Sequence, residues 1–337
     1  MKRACCFALF AVIASFIGTV TAQETLIPVK VELITRAVAK TPVLIAYDRG
    51  LYRKYGLDAT LWMPKGEFPG AIETAGDRMQ SPEFSVDGGV PMVTAILANR
   101  SPRRIAIATN DCQARFAIVG QKSMKSIEDL KGKRLGISGD GAMTGFIYRV
   151  LAKRMGWTPG KDFTVVERAQ RFEDLKAGKS DAFVADDRYM ALAKAEGYPV
   201  LANPSEWNQA IAGSSVRVDW NWIKDPKNRD IATRFLKGTV EGVAIYMNDK
   251  EEALRVLAKY HGIKDRQVAS SIYEEGLKMS PRMEPCVQGF NDMFAVGSYG
   301  PELQKYKPTD FYDVSLMQEL EKTGFVDAAY KTARSSR

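Results

Sequence analysis

Short apolar segments, alternating or continuous, are separated by helical patterns through most of residues 29–205. Residues 29–35 alternate and are β-branched, which predicts a strand, and a helical pattern over residues 42–55 ends at Gly56. The same patterns predict strands at residues 57–63, 84–86, 104–108, 116–120, 134–138, 163–167, 182–185 and 200–202, and helices at 90–99, 145–155, 172–177 and 188–196. This alternation predicts an α/β protein with mainly parallel sheets flanked by helices.

After residue 225 the pattern becomes helical. One apolar face with helical spacing runs along a long segment and consists of Ile231, Phe235, Leu236, Val240, Val243 and Met247. The pair Asp225-Pro226 marks the start of this helix, because proline suits a first helical turn. Helical patterns continue at residues 251–260, 266–277 and 316–322. These helices bring no strands of their own, so we expect them to cover a sheet built earlier in the chain.

The N-terminal 22 residues have the features of a secretory signal peptide. Lys2 and Arg3 precede an apolar run over residues 4–17, and small residues end at Ala22. The apolar run is shorter than the about 20 residues that a bilayer-spanning helix needs. We therefore expect export to the periplasm and cleavage before Gln23, with an uncleaved anchor as the alternative.

The length and charge of the mature chain indicate how many lobes it has and which partners are not expected. Removing 22 of the 337 residues leaves 315, which is more than one ordinary core holds, so two lobes are expected. The excess of basic residues is spread among acidic ones along the chain, which indicates a solvated surface. A nucleic-acid partner is not expected, because it would require the positive charge to cluster on one face.

Few residues of the mature chain are suited to catalysis or metal binding. Cys112 and Cys286 could form one disulfide in an oxidising compartment, although the sequence does not show whether they are close enough. His261 is the only histidine, at a predicted helix end, so a zinc site with two histidines is excluded. The sequence therefore predicts no catalytic residues, no metal and no cofactor.

Three segments carry a family resemblance. Residues 41–58 (TPVLIAYDRGLYRKYGLD) resemble the opening of the periplasmic binding proteins for alkanesulfonates, nitrate and thiamine precursors. Residues 124–137 (MKSIEDLKGKRLGI) are similar to the entry into that family's second lobe, and residues 175–184 (LKAGKSDAFV) to a later run of the family. Residues 311–316 fit its tail. The segments occur in the family's order, which makes the set more specific than any one of them.

The resemblance implies a type II periplasmic binding protein, in which two lobes close on a ligand held between them. It implies that the chain crosses from the first lobe to the second near residues 112–116 and returns near residues 207–213. Lobe I would then comprise residues 23–113 and 212–337, and lobe II residues 114–211. The implied protein is a monomer that binds a small molecule and delivers it to an inner-membrane ABC permease with its ATPase.

Two alternatives to this importer component stay open. One is an enzyme on the same fold, related to thiamine-precursor synthesis, although such enzymes rely on a cysteine-rich motif and histidines that this chain lacks. The other is a periplasmic sensor that reports its ligand to a membrane receptor.

Ligands of open α/β sheets gather at the carboxyl ends of strands and at helix N-termini. The loop that follows the strand at residues 134–138 is the strongest candidate, with these predicted ligand contacts: Ser138, Gly139, Asp140, Gly141 and Ala142. Asp140 could instead cap the next helix, and the glycines could merely permit a tight turn. A dinucleotide fingerprint at this loop is disfavoured by its spacing.

Other strand ends supply the remaining candidates, which are Arg36, Asp87, Gly88, Gly89 and Asp186. Arg36 could clamp an acidic group with its guanidinium, or form an ordinary surface ion pair. Asp186 or its neighbour Asp187 could cap the following helix.

These candidates together favour a ligand with an acidic group. Arg36 and the backbone N–H groups of residues 139–142 would hold that group. The carboxylates of Asp87, Asp140 and Asp186 favour additional polar or cationic functions, so an organic acid or a zwitterion is expected rather than a simple inorganic anion.

We predict that the mature protein begins at Gln23. N-terminal sequencing of protein from a periplasmic extract should give a sequence that starts Gln-Glu-Thr. Protein that keeps Met1 and stays with the membrane fraction would contradict the prediction.

Overall fold

The computed structural model describes residues 25–65, 70–72, 78–296 and 299–335. The expected signal peptide and its cleavage site lie outside these residues. None of the helices within the described ranges is long and apolar enough to cross a membrane.

Within the described residues, ten strands form two five-stranded sheets. The strands are β1 (Ile27–Leu33), β2 (Leu57–Trp62), β3 (Phe84–Asp87), β4 (Arg104–Thr109), β5 (Phe116–Gly120), β6 (Arg134–Ile137), β7 (Thr164–Glu167), β8 (Ala182–Asp186), β9 (Val200–Ala202) and β10 (Ser215–Asp219). The first sheet has the order β2-β1-β3-β10-β4, and the second has the order β7-β6-β8-β5-β9.

Helices cover both sheets. They are α1 (Thr41–Asp48), α2 (Leu51–Lys54), α3 (Gly89–Leu97), α4 (Met143–Met155), α5 (Phe172–Lys176), α6 (Asp187–Ala195), α7 (Pro226–Asn248), α8 (Lys250–His261), α9 (Arg266–Gly276), α10 (Val287–Val296), α11 (Ser315–Lys322) and α12 (Phe325–Ser335).

The α/β class is confirmed, and the sheets are mixed. β1 runs parallel to β2 and β3, and β6 runs parallel to β7 and β8. β10 is antiparallel to β3 and β4, and β5 is antiparallel to β8 and β9. β5 and β10 are the first strands after the chain moves from one sheet to the other, and they enter their sheets in the opposite direction. Within the described residues, the other four strands of each sheet run in one direction, so the expectation of mainly parallel sheets is confirmed, with β5 and β10 as the reversed strands.

Local sequence explains where the helices begin and end. The predicted helix over residues 42–55 is two helices, because Gly50 adopts a left-handed conformation with φ 66° between them. The long helix α7 starts as predicted, with the Asp225 carboxylate accepting a hydrogen bond from the Lys227 N–H at 2.8 Å. Its apolar face is buried in the core over the first sheet, with Phe235 and Val240 fully enclosed.

The chain passes between the sheets twice, at residues 110–115 and 203–214. The two crossing segments pair with each other through backbone hydrogen bonds. The Ile211 N–H donates to the Cys112 carbonyl oxygen at 3.0 Å, and the Gly213 N–H donates to the Asp111 carbonyl oxygen at 2.9 Å. This pairing makes one two-stranded connection between the sheets.

A disulfide joins the first crossing to the C-terminal helical part. Cys112 is bonded to Cys286, which lies 174 residues later, with 5.3 Å between their Cα atoms. The disulfide that the sequence left open is thus present. Near the disulfide, the Ser280 N–H donates to the Asn110 carbonyl oxygen at 2.8 Å. The segment between α9 and α10 therefore lies against the first crossing.

We predict that this disulfide stabilises the folded protein. Because the bond closes a long loop, replacing both cysteines in Cys112→Ser/Cys286→Ser should lower the free energy of unfolding by about 2–5 kcal/mol. Urea unfolding of the mature wild type and the double variant measures the difference.

A reducing agent provides the control for this prediction. It should destabilise the wild type and leave the double variant unchanged. Two reactive thiols per chain in unreduced periplasmic protein would contradict the assignment.

Candidate functional site

A cleft of about 760 Å³ lies between the two sheets. Its walls come from the segments at the carboxyl ends of β1, β2, β3, β6, β7 and β8, as expected for open α/β sheets. The lining residues are Ile34, Thr35, Arg36, Ala37, Pro64, Lys65, Asp87, Pro91, Phe116, Ser138, Ala142, Met143, Thr144, Gln170, Arg171, Val184, Asp186, Arg188 and Tyr189.

The structure brings part of the predicted set together. Five of the predicted residues line the cleft, namely Arg36, Asp87, Ser138, Ala142 and Asp186. Gly88 lines a smaller pocket of about 70 Å³, which shares Asp87 and Asp186 with the cleft. Gly89, Gly139, Asp140 and Gly141 line neither space.

Hydrogen bonds to other parts of the protein and within the segment hold the loop after β6 in place. The hydroxyl oxygens of Ser138 and Thr144 are 2.6 Å apart, and the Gly141 carbonyl oxygen accepts from the Thr94 hydroxyl at 2.8 Å. Thr94 belongs to α3, beside the first sheet, so this bond crosses between the two halves of the molecule. Ala142 is the N-cap of α4, and no side chain caps this helix end.

Asp140 points away from the cleft and is paired elsewhere. Its carboxylate forms an ion pair with Arg149 and accepts from the Tyr148 hydroxyl at 2.7 Å. Asp140 therefore neither caps α4 nor opposes a ligand.

Asp87 is buried beside two cations, Lys40 and Arg217. Its carboxylate lies 3.5 Å from the Lys40 ammonium and 3.8 Å from the Arg217 guanidinium, and it accepts from the Thr35 hydroxyl at 3.2 Å. Burial acts to raise the pKa of Asp87, but Lys40 and Arg217 outweigh it and hold that pKa below its usual range. Burial lowers the pKa of Lys40 to about 8. Asp87 is thus an ion already neutralised by the protein.

The paired glycines after β3 serve close packing. A Cβ on Gly88 would lie 2.8 Å from the Met143 side chain, and one on Gly89 would lie 2.6 Å from the Ala212 Cβ. The Gly89 N–H donates to the Ala212 carbonyl oxygen at 2.6 Å. The close approach that the sequence indicates is therefore made to other parts of the chain.

Asp186 and Asp187, the two acidic residues at the end of β8, have different partners. Asp186 caps α6 by accepting from the Tyr189 N–H at 3.0 Å, as one of the sequence alternatives proposed. Asp187 is buried and contacts the Arg115 guanidinium at 2.5 Å, and the same guanidinium contacts Asp111 at 2.9 Å.

Asp187 is the titrating group of this buried cluster. Burial raises its pKa to about 7, against the pull of Arg115. Burial would also lower the pKa of Arg115, but the two flanking carboxylates raise it above its usual range, so Arg115 stays cationic. One guanidinium shared by two buried carboxylates leaves the second carboxylate poorly compensated.

Cationic side chains dominate the cleft walls. Arg36 is half-buried and donates to the Tyr260 carbonyl oxygen at the end of α8. Arg188 is buried and lies over the Tyr189 ring at 5.7 Å, while Arg171 is paired with Asp174 at 3.2 Å. With Lys65, four cationic residues line the cleft against the two carboxylates of Asp87 and Asp186.

Three of these cations were missed in the sequence. Lys65 and Arg171 follow β2 and β7, so the strand-end rule applied to those strands as well would have found them. Arg188 lies in the first turn of α6, one residue after the two aspartates that drew attention to this strand end.

His261 does not line the cleft. It is buried at the end of α8, with its Nε2 atom 3.4 Å from the Thr41 hydroxyl. Burial, together with the neighbouring Arg36 and Arg188, lowers its pKa to about 3, so the ring is neutral. Within the described ranges, no group of three or more histidine, cysteine or acidic residues is placed to hold a metal ion.

Solved structures with the same fold include binding proteins and an enzyme. The periplasmic nitrate-binding protein NrtA from Synechocystis PCC 6803 is 13% identical, with a TM-score of 0.67 over 88% of this chain and 89% of that chain. A putative sulfonate ABC transporter, periplasmic sulfonate-binding protein SsuA from Methylobacillus flagellatus KT, is 16% identical, with a TM-score of 0.65 over 90% and 96%. The desulfurization enzyme DSZB is 14% identical, with a TM-score of 0.56 over 91% and 100%.

At these identities the likeness shows the fold, which is that of the periplasmic binding proteins. No curated protein sequence matches this chain. The model of the family described as NMT1/THI5 like matches residues 38–253, which is more than half of the 337 residues. The family resemblance seen in the sequence is thereby confirmed, and the chain belongs to the NMT1/THI5-like family.

Proposed function

We propose that this protein is the periplasmic solute-binding component of an ABC importer and that it binds a small organic acid in the cleft. It is exported, works as a monomer and passes its ligand to a permease with an attached ATPase. The family and the fold support a binding role.

The charge of the cleft carries the proposal for an acid. Arg36, Lys65, Arg171 and Arg188 approach one space from both sheets. The carboxylates that share this space are engaged by the protein itself, because Asp87 pairs with Lys40 and Asp186 caps α6. A guanidinium binds a carboxylate, sulfonate or phosphate with paired, charge-assisted hydrogen bonds. The uneven balance of charge therefore favours an anionic group on the ligand.

The start of α4 adds to this preference. Ala142, Met143 and Thr144 line the cleft at the N-terminus of this 13-residue helix, where no side chain occupies the cap. Backbone N–H groups and the positive end of the helix dipole favour an anion at such a position.

The lobes would close about the paired crossings. We assign residues 23–113 and 212–337 to lobe I and residues 114–211 to lobe II, with the crossings as the hinge. Ligand contacts from both lobes would favour the closed state, because they form fully only when the lobes approach.

An enzyme on this fold is the second candidate, since DSZB shares the fold. The residues near the cleft do not favour it. His261 is buried, neutral and outside the cleft, and Cys112 and Cys286 are joined to each other. A periplasmic sensor would use the same binding site and would differ only in its membrane partner.

Native mass spectrometry of gently purified periplasmic protein tests the proposal. We expect a retained small molecule whose mass and fragmentation show a carboxylate, sulfonate or phosphate group. A retained ligand that is neutral or purely cationic would overturn the acid assignment, and turnover of that molecule by the protein would overturn the transport role.

We predict that Arg188→Ala and Arg36→Ala each weaken binding of that acid. Loss of one charge-assisted hydrogen bond should reduce affinity roughly ten- to a hundredfold, measured by isothermal titration calorimetry. Arg266→Ala is the matched control, because Arg266 is an exposed residue paired with Glu251 on α8 and α9, away from the cleft. Unchanged affinity in both cleft variants, or an equal loss in the control, would contradict the prediction.

The buried cluster of Asp111, Arg115 and Asp187 predicts that the stability of the protein depends on pH. The pKa of Asp187 is about 7 in the folded protein and 3.8 as its ordinary value, so folding favours the protonated form. Its contribution to the free energy of unfolding is full below about pH 4 and is lost as the pH rises through about 7.

Urea unfolding at about pH 5 and about pH 8 measures this effect in the wild type and in Asp187→Asn, whose side chain does not titrate. The stability of the wild type relative to the variant should fall between the two pH values. A difference that stays constant or rises would show that Asp187 is ionised throughout.

A further inference from the structure

A small pocket of about 70 Å³ lies beside the cleft, at the hinge. Both crossing segments contribute to its walls, through Asp111 and Arg115 on the first and Ser214 on the second. It shares Met143 and Asp186 with the main cleft, so the two spaces adjoin. A ligand bound in the cleft would therefore meet this pocket.

Three polar atoms in the pocket-lining residues are buried without a hydrogen-bond partner: Arg115 Nη2, Asp187 Oδ1 and Ser214 Oγ. The side chains of Arg115 and Asp187 are 2% and 4% exposed. Their other atoms are engaged, because Arg115 Nη1 donates to Asp187 Oδ2 at 2.5 Å and Arg115 Nε donates to Asp111 Oδ1 at 2.9 Å. An unsatisfied buried polar atom destabilises the folded protein, because it has lost its hydrogen bonds to water. All three atoms belong to residues that line one space, and a small turn of these side chains would offer them to a polar group placed there.

The three atoms define the chemistry of that group. Arg115 Nη2 needs an acceptor, Asp187 Oδ1 needs a donor, and the Ser214 hydroxyl can act in either role. An ammonium group offers no acceptor to the guanidinium. A carboxylate offers no donor to Asp187 in its ionised form and would also face the carboxylates of Asp111 and Asp186. A carboxamide or a hydroxyl can donate to the ionised form of Asp187 and accept from its protonated form. The group that satisfies both partners is neutral and is at once donor and acceptor, which describes a primary carboxamide or a hydroxyl.

The size of the pocket agrees with this chemistry. One water molecule needs roughly 10–15 Å³ of cavity volume measured in this way, so the pocket has room for a group of a few heavy atoms. A carboxamide or a hydroxymethyl group fits within that limit.

We propose that the pocket is a subsite for the neutral, hydrogen-bonding end of the ligand, while the acidic end lies among the cations of the main cleft. The subsite deepens the proposed function and rests on it for the acidic end. The substrate class is then an organic acid that carries a carboxamide or hydroxyl group at a distance from the acid.

Acetamide and acetone test the subsite without any assumption about the acid. The two molecules have nearly the same shape, but only acetamide is both donor and acceptor. Each is titrated into ¹⁵N-labelled mature protein, and the resonance of the Arg115 Nε–H group is followed by NMR. We expect saturable shifts with acetamide and none with acetone.

A pair of serine variants completes the test. Ser214→Ala should weaken acetamide binding about two- to tenfold, which is the loss of one neutral hydrogen bond. Ser180→Ala is the matched control, because the Ser180 hydroxyl is also buried without a partner but lies outside both the cleft and the pocket. The control variant should bind acetamide as the wild type does.

The outcomes separate the subsite from the proposed function. Equal responses to acetamide and acetone, no response to either, or full acetamide binding by Ser214→Ala would overturn the subsite and leave the pocket to ordered water. Acetamide binding together with a retained ligand that lacks an acidic group would support the subsite and overturn only the acid assignment.

Discussion

The ion cluster of Asp111, Arg115 and Asp187 fixes how the two halves of this molecule meet. Charges removed from water need close partners, and loss of one partner from such a cluster costs about 3–5 kcal/mol. Arg115 lies on the first crossing and Asp187 begins α6 beside the second sheet, so the requirement for pairing sets the position of that helix relative to the crossing. The walls of the cleft follow from this placement, because Asp186 and Arg188 flank Asp187 in the chain.

The paired crossings, which we propose as the hinge, also line the small pocket. The crossings pair through backbone hydrogen bonds, and the Cys112–Cys286 disulfide holds the first of them to the C-terminal part. A ligand group that supplies partners to Arg115 and Asp187 would act on the ions that connect the lobes. Binding and closure would then be linked through one set of side chains, since a ligand shifts a conformational equilibrium only by interacting differently with its two states.

Features that depend on nearby residues could be predicted from the sequence, whereas features that depend on distant residues could not. Strand and helix positions, and the start of α7 at Pro226, depend on nearby residues and could be predicted. β10 was missed although Ser215–Asp219 alternates, because its role depends on insertion between β3 and β4, which come from a distant part of the chain. Likewise the strand-end rule selects Asp87, but the Lys40 and Arg217 partners that neutralise it come together only in the fold.

This long-range pairing changes what the carboxylates of the site say about the ligand. In the sequence, Asp87, Asp140 and Asp186 favour additional polar or cationic functions on the ligand. In the structure, Asp87 is neutralised by Lys40, Asp140 pairs with Arg149 outside the cleft, and Asp186 caps a helix. A carboxylate already held by a cation or by backbone N–H groups gains little from a second cationic partner that must lose its own water. We therefore expect a ligand to meet the positive charge of the cleft and neutral hydrogen bonding at the small pocket.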